Sequence, residues 1–123
     1  MRKVTTDELA DMLQKSETWV FNVLAPKEFE RGHIPGTENI PIGGSDFLAQ
    51  ARAVVPDEDT PVVVYCAGPE CKASARAANA LAEAGYMEVY AYEGGMKEWI
   101  AAGNEVETGE RTVARRSHRE GAP

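Results

Sequence analysis

The sequence predicts an α/β domain built on a mostly parallel central sheet with helices on both faces. Two observations carry this. Short apolar runs of strand length alternate along the chain with segments of helical periodicity. Proline, glycine and hydroxyl or acidic residues stand where those segments start and stop. A third is the run Thr60-Pro-Val-Val-Val-Tyr65, apolar on successive residues, as expected of a strand covered on both faces.

Thr6 to Lys15 has apolar residues at 9, 12 and 13, Thr5 or Thr6 as cap and acids in its first turn, the signature of an amphipathic helix. Trp19 to Leu24 follows as a strand. Pro26 to Arg31 is a short helix with proline in its first turn, stopped by Gly32. His33-Ile-Pro-Gly36 is a turn that His33 is expected to hold by hydrogen bonding, and Thr37 to Ile42 is a short strand interrupted by Pro41. Ser45 to Val55 is a helix capped by Ser45 or Asp46, and Pro56 to Thr60 an acidic loop. Ala73 to Ala84 is a small-residue helix ended by Gly85. Glu88 to Tyr92 is a strand, and Gly94-Gly95 opens a helix that carries Met96, Trp99 and Ile100 and stops at Gly103.

At 123 residues the chain is sized for one domain with a core of its own. It lacks a signal-peptide pattern and any run near the ~20 apolar residues that span a bilayer, which points to a cytoplasmic protein with no membrane partner. The formal net charge is −7. Arg111, Arg115, Arg116 and Arg119 against the single acid Glu120 make 111–123 a basic, flexible tail, and leave the domain at 1–110 with a charge of about −10. Such a field disfavours nucleic acid. Two cysteines and two scattered histidines make no zinc spacing, and no cofactor is called for.

The chemistry falls on Cys66-Ala-Gly-Pro-Glu-Cys-Lys72, the loop between the buried strand and the small-residue helix. In such sheets ligands bind beyond the carboxyl ends of the strands. A loop that enters a helix N-terminus presents unpaired N–H groups and the positive end of the helix dipole, which together stabilise an anion, a thiolate included. Cys66 is therefore the expected nucleophile. Ala67, Gly68, Glu70, Cys71, Lys72 and Ala73 form the expected substrate-binding loop, with Gly68 allowing its curvature and Pro69 stiffening it. In a reducing compartment a pair five positions apart is more in keeping with reactive or redox thiols than with a structural bridge, so Cys71 is a redox-partner candidate. Curling the loop around an incoming sulfur brings its two ends together. In reduced protein the pair is expected to be unbonded, and peroxide to join it.

Three segments resemble the rhodanese (thiosulfate sulfurtransferase) family in its single-domain form: Phe21 to Gly36 with Asn39-Ile-Pro41, Val62 to Cys66 with Ser74-Ala-Arg-Ala-Ala78, and Tyr92 to Trp99. The Cys-x-Gly-Pro-x-Cys spacing resembles a longer-loop variant of that family. The resemblance implies a three-layer α/β/α rhodanese fold. It also implies a Cys66 that takes sulfane sulfur as a persulfide and passes it to cyanide or a thiol, without a cofactor. The implied partners are a small sulfur-containing anion or thiol, and a protein sulfur acceptor. Three features depart from the family pattern, one being that Ser74 arrives two residues late after the cysteine. Asn22-Val23-Leu24 stands where many members have Asp-Val-Arg, and the loop lacks the arginines that commonly follow the cysteine.

Two other functions remain open. One is a redox-sensing or binding module that cycles Cys66 and Cys71 between dithiol and disulfide. The other is a phosphatase or arsenate reductase on the same fold. Against the latter, position six after the cysteine is Lys72, and lysine cannot make the planar two-pronged clamp of an arginine.

Overall fold

A computed structural model of the chain describes residues 2–44 and 46–109. Among the described residues five strands form one sheet: β1 (Arg2–Lys3), β2 (Trp19–Asn22), β3 (Glu38–Asn39), β4 (Val62–Tyr65) and β5 (Val89–Tyr92). Their order is β1-β5-β4-β2-β3, and every pairing is parallel. The expected parallel sheet is thus parallel throughout, with one antiparallel bridge outside it, between His33 and Glu107.

Sequence alternation along the central strands sorts their side chains onto two faces. Phe21, Val62, Val64, Val89 and Ala91 join Phe47 and Ala51 of α3 (Phe47–Val54) and Ala77, Ala78 and Leu81 of α4 (Ala73–Glu83) in one core. Val20, Val63, Tyr65 and Tyr92 join Leu9 of α1 (Thr6–Leu13) and Trp99 of α5 (Gly95–Ala101) in the other. Helices therefore cover both faces, as expected. The small residues of α4 decide how closely it sits. Ala73, Ser74, Ala77, Ala78 and Leu81 form its buried stripe, and four of the five have side chains of one or two heavy atoms, so the helix backbone lies close on β4 and β5.

The chain leaves β2 toward β3 on one side and leaves β4 toward β5 on the other. The crevice that opens where two such neighbouring strands send their connections apart is the usual ligand position in an open parallel sheet. Here it lies at the carboxyl ends of β2 and β4, and Cys66 is the first residue after β4.

Several boundaries differ from those the sequence predicts, each for a local reason. β1 was not expected. Arg2 and Lys3 are exposed and carry no alternation, and they become a strand only by pairing with Tyr90 and Ala91 at the sheet edge, where charged residues discourage further pairing. The predicted strand from Thr37 to Ile42 pairs only at Glu38–Asn39, since Pro41 has no N–H to continue the ladder. The helix α1 keeps its predicted start, with a capping box between Thr5 and Glu8, and ends at Leu13. The helix α2 (Pro26–Arg31) has its predicted bounds. The helix α3 starts at Phe47, with Asp46 in the cap position but making no side-chain cap bond. The alternative cap Ser45 and the tail at 111–123 lie outside the described residues.

The loop after α2 is fastened to the sheet from beneath by one hydroxyl. Thr37 spends its only proton on the Ile34 carbonyl at 2.8 Å, so the buried Tyr65 O–H donates to Thr37 Oγ1 at 3.0 Å and accepts from the Ile34 N–H at 3.0 Å. All three groups are satisfied, as buried polar atoms must be. His33 locks the same turn. Its ring stacks on Phe29 with centroids 3.7 Å apart, its Nδ1–H donates to the Phe29 carbonyl at 2.8 Å, and its backbone bridges to Glu107.

Burial pushes the Tyr65 hydroxyl up to about 12, against its hydrogen bonds to Thr37 and Ile34, so it stays neutral and donates. Tyr65→Phe is expected to cost about 1–3 kcal/mol by stranding the Ile34 N–H, measured by urea unfolding. An unfolded tyrosine ionises near 10.0 while native Tyr65 holds its proton to about 12, so native stability declines as pH rises through that window. The same variant should make that alkaline decline shallower, though Tyr86, Tyr90 and Tyr92, also raised by burial, retain their share.

Candidate active site at the loop after the fourth strand

The loop from Cys66 is held by the start of α5. Met96 N–H donates to the Cys66 carbonyl at 3.0 Å and Lys97 N–H to the Ala67 carbonyl at 2.9 Å, so two donors left over at the helix start satisfy the first two carbonyls of the loop. This close approach explains Gly95. Its φ is +60°, and a Cβ there would lie 2.5 Å from the Cys66 oxygen and 2.6 Å from the Gly68 nitrogen. Only glycine fits both the conformation and the space. The sequence placed Gly95 at the opening of a helix, but its part in seating the cysteine loop needed the three-dimensional contact.

Within the loop, Cys71 N–H donates to the Gly68 carbonyl at 3.0 Å and closes a turn across Gly68 to Cys71. That turn brings the two cysteines together. The single Cys66 Sγ–H has two acceptors at hand, the Cys71 carbonyl oxygen at 3.6 Å and the Cys71 sulfur. Both cysteines are free. Cys66 is 1 % exposed, on the face shared with α4, whereas Cys71 is partly open.

Of the other predicted loop residues, Gly68 and Ala73 are buried, while Ala67, Glu70 and Lys72 are exposed. Lys72 occupies the N-cap position of α4 without a side-chain cap bond. The side chain of Ser74, in the first turn of α4, is buried against Cys66 and bonds its sulfur through both its hydroxyl and its backbone N–H.

The electrostatics divide the pair otherwise than the sequence predicts. The helix start was expected to lower the Cys66 thiol and the loop amides to surround its sulfur. Burial instead pushes the Cys66 thiol up, and its hydrogen bond to Cys71 adds to this, outweighing the lowering contacts from Ser74. Burial also works against a Cys71 thiolate. There, however, the hydrogen bond from Cys66, the N–H groups of Ala73 and Ala67 and the charge of Arg76 prevail, and the Cys71 thiol lies below its ordinary range. The physical reason is the turn at Gly68, which folds Cys71 inward so that it takes up amides expected to face Cys66. Arg76 lies one turn into α4. It is exposed, yet its charge reaches Cys71.

Two clefts flank the loop. One of ≈290 Å³ is lined by Leu24, Arg31, Ala67, Met96, Ile100 and Val106 together with Glu28 and Gly32, and is mostly apolar with one cation and one carboxylate. The other, of ≈490 Å³, lies beyond Pro69 and Gly94 and carries the carboxylates of Asp7, Glu93 and Glu98. At the Asn22-Val23-Leu24 segment, Asn22 Oδ1 accepts from Leu24 N–H at 2.9 Å, and Asn39 Nδ2 donates to the carbonyls of Asn22 and Leu24 at 3.1 and 2.9 Å. Neutral amides thus close the turn at the end of β2. Among the described residues, no three His, Cys, Asp or Glu side chains cluster so as to hold a metal ion. None of the described helices is long and apolar enough to cross a membrane.

Residues 5–102 match the family described as Rhodanese-like domain. An HTH-type transcriptional regulator of Mycobacterium tuberculosis, Rv0324, is 35% identical over 107 residues, covering 86% of this chain and 45% of the regulator. The chain thus spans less than half the length of that relative. The uncharacterized protein YqhL of Bacillus subtilis is 35% identical over 99 residues, 80% of this chain and 72% of its own. The thiosulfate sulfurtransferase GlpE of Pseudomonas aeruginosa is 32% identical over 93 residues, 75% of this chain and 78% of its own. Among solved structures, a thiosulfate sulfurtransferase from Pseudomonas aeruginosa superposes with a TM-score of 0.78 at 25% identity over 91% of this chain and 21% of that one. A rhodanese-related protein from Thermoplasma volcanium superposes with a TM-score of 0.71 at 27% identity, over 89% of this chain and all of that one.

Iodoacetamide should modify Cys71 before Cys66, since Cys71 is both the more open and the more acidic thiol; peptide mapping at limiting reagent measures the order. Arg76→Ala removes a charge that favours the Cys71 thiolate, so the pH midpoint of that alkylation should move upward. Gly95→Ala is expected to cost upwards of about 1 kcal/mol from backbone strain alone and to loosen the loop, seen as faster Cys66 alkylation at unchanged pH.

Proposed function

Because the chain belongs to the rhodanese-like domain family, we propose that it is a sulfurtransferase in which Cys66 carries sulfur as a persulfide. Cys66 attacks the outer sulfur of a donor such as thiosulfate, the donor's S–S bond breaks, and sulfite leaves with the electron pair. A thiophilic acceptor, cyanide or a thiol, then takes the sulfur, which makes the reaction a covalent, two-step transfer. The observation that carries this reading is the position of Cys66. It directly follows the central strand, at the crevice where the connections of β2 and β4 part, with the hydroxyl and N–H of Ser74 on its sulfur.

The apolar cleft beside Ala67 supports the second half-reaction. It offers apolar wall to the body of a small thiol and the Arg31 guanidinium to a carboxylate or sulfonate on it. A protein carrying a thiol on a flexible end is an acceptor of the same chemistry. The relatives named as thiosulfate sulfurtransferases add weight to thiosulfate as donor. Phosphoryl or arsenate chemistry has no comparable support, because Lys72 is exposed at the N-cap of α4 and no guanidinium stands at its position. Such an enzyme would work in the reducing cytoplasm, where its thiols stay available.

A second reading rests on the thiol contact and on the likeness to a transcriptional regulator. The chain would then be a sensing module in which Cys66 and Cys71 change state once per signal rather than turning over. Multiple turnovers of thiocyanate formation from thiosulfate and cyanide separate the two readings.

Cys66→Ser should abolish thiocyanate formation while leaving the circular dichroism spectrum and melting temperature close to those of the wild type, because a hydroxyl fits the buried site but cannot become a persulfide. Retained turnover would remove Cys66 from the reaction. Neither the wild type nor Lys72→Arg should hydrolyse an aryl phosphate; activity in that variant would mean that the loop has phosphatase geometry.

A further inference from the structure

We propose that Cys71 resolves the Cys66 persulfide, so that the loop releases sulfane sulfur as hydrogen sulfide and closes into a Cys66–Cys71 disulfide. The inference rests on the reading of Cys66 as the sulfur carrier and assigns that carrier an intramolecular acceptor. Three features of the loop carry it. The two thiols are already in contact across the turn closed by Cys71 N–H and the Gly68 carbonyl, with Cys66 Sγ 3.6 Å from the Cys71 carbonyl oxygen. The N–H groups of Ala67 and Ala73, which in an open loop would face the outer sulfur of a persulfide, are directed at the Cys71 sulfur. And Cys71 is partly open while Cys66 is closed off, so of the two thiols it is Cys71 that solvent reaches.

The chemistry balances without an outside oxidant. Once the pair has lost one proton, the negative charge is favoured on Cys71, where the Ala67 and Ala73 amides and the charge of Arg76 reach the sulfur. Cys71 takes the Cys66 proton across their contact as Cys66 Sγ attacks the donor, leaving an anionic persulfide on Cys66 and free sulfite. Cys71 Sγ then attacks Cys66 Sγ. The bond between the two cysteine sulfurs forms, the bond from Cys66 Sγ to the outer sulfur breaks, and the outer sulfur departs with the electron pair and the proton that Cys71 held, as hydrosulfide. The two cysteine sulfurs are oxidised to a disulfide and the sulfane sulfur is reduced to sulfide. A cellular dithiol reductant resets the loop by thiol–disulfide exchange. An external thiol or cyanide competes with Cys71 for the same persulfide, so the loop partitions sulfur between transfer and release.

The test uses full-length protein, reduced, freed of reductant and handled without oxygen, then given thiosulfate or an alkyl persulfide. Sulfite (from thiosulfate), sulfide and intact mass are measured together. Wild type should release sulfide in proportion to protein, lose two hydrogens in mass and retain no added sulfur. Cys71→Ser, and Cys71→Ala as a second variant should the first fold poorly, should still release up to one equivalent of sulfite per protein, more slowly than wild type because the acceptor of the Cys66 proton is gone, yield sulfide only at background, and gain one sulfur that cyanide removes. A wild type that keeps the added sulfur with Cys71 free to alkylate would overturn the resolving role while leaving the carrier reading intact. Sulfur uptake that survives Cys66→Ser but is lost in Cys71→Ser would reverse the two roles and overturn both.

Discussion

The two hydrogen bonds from Met96 and Lys97 to the carbonyls of Cys66 and Ala67 hold the architecture of the site together. They tie a loop that leaves the central strand to the start of a helix on the opposite face of the sheet from α4. The loop is therefore gripped between both layers. The approach is close enough to exclude any side chain at position 95, which makes the Gly94-Gly95 pair as much a part of the site as the cysteines. With its first two residues fixed, the remaining five of the loop must turn back to reach Ala73, and the Gly68–Cys71 turn is how they do so. The thiol contact follows from that constraint.

Packing and chemistry are coupled through α4. Its stripe of alanines and Ser74 lets the helix lie close on β4, and that closeness buries Cys66 while bringing the Ser74 hydroxyl and N–H onto its sulfur. Burial and the contact with Cys71 both raise the cost of a Cys66 thiolate, while amides and Arg76 reach the Cys71 sulfur and make it the more acidic of the two. On the other face, Tyr65 points away from the chemistry. Its hydroxyl braces the Ile34 to Thr37 turn, which in turn carries β3 to the edge of the crevice.

Much of this was legible in the sequence. The alternation of apolar runs with helical segments gave the layered parallel sheet, and the bounds of α2 followed directly from Pro26 and Gly32. The loop and its two cysteines were located by their place between a fully apolar strand and a small-residue helix. What escaped was information that exists only across distance in the chain. β1 consists of two charged residues with no periodicity, and only pairing with Tyr90 and Ala91 makes it a strand. The division of charge between the cysteines depends on which amides the loop aims at which sulfur, and a seven-residue segment does not encode that in its composition. Arg76 looked like a solvent-facing helix residue and is one; its effect on Cys71 is a matter of distance rather than burial. The charged pair missing at Asn22-Val23-Leu24 proved to be replaced by amide bonds from Asn22 and Asn39, residues seventeen positions apart.

The most direct test of the account is the location of the transferred sulfur. Cys71→Ser protein, in which a persulfide has no neighbouring thiol to resolve it, is exposed briefly to thiosulfate labelled in its outer sulfur, and free thiols are blocked. Peptides are then fragmented finely enough to separate position 66 from position 71. The account predicts label on the Cys66 sulfur alone, released by cyanide as labelled thiocyanate; a protein that carries no label, or carries it anywhere but Cys66, would contradict it.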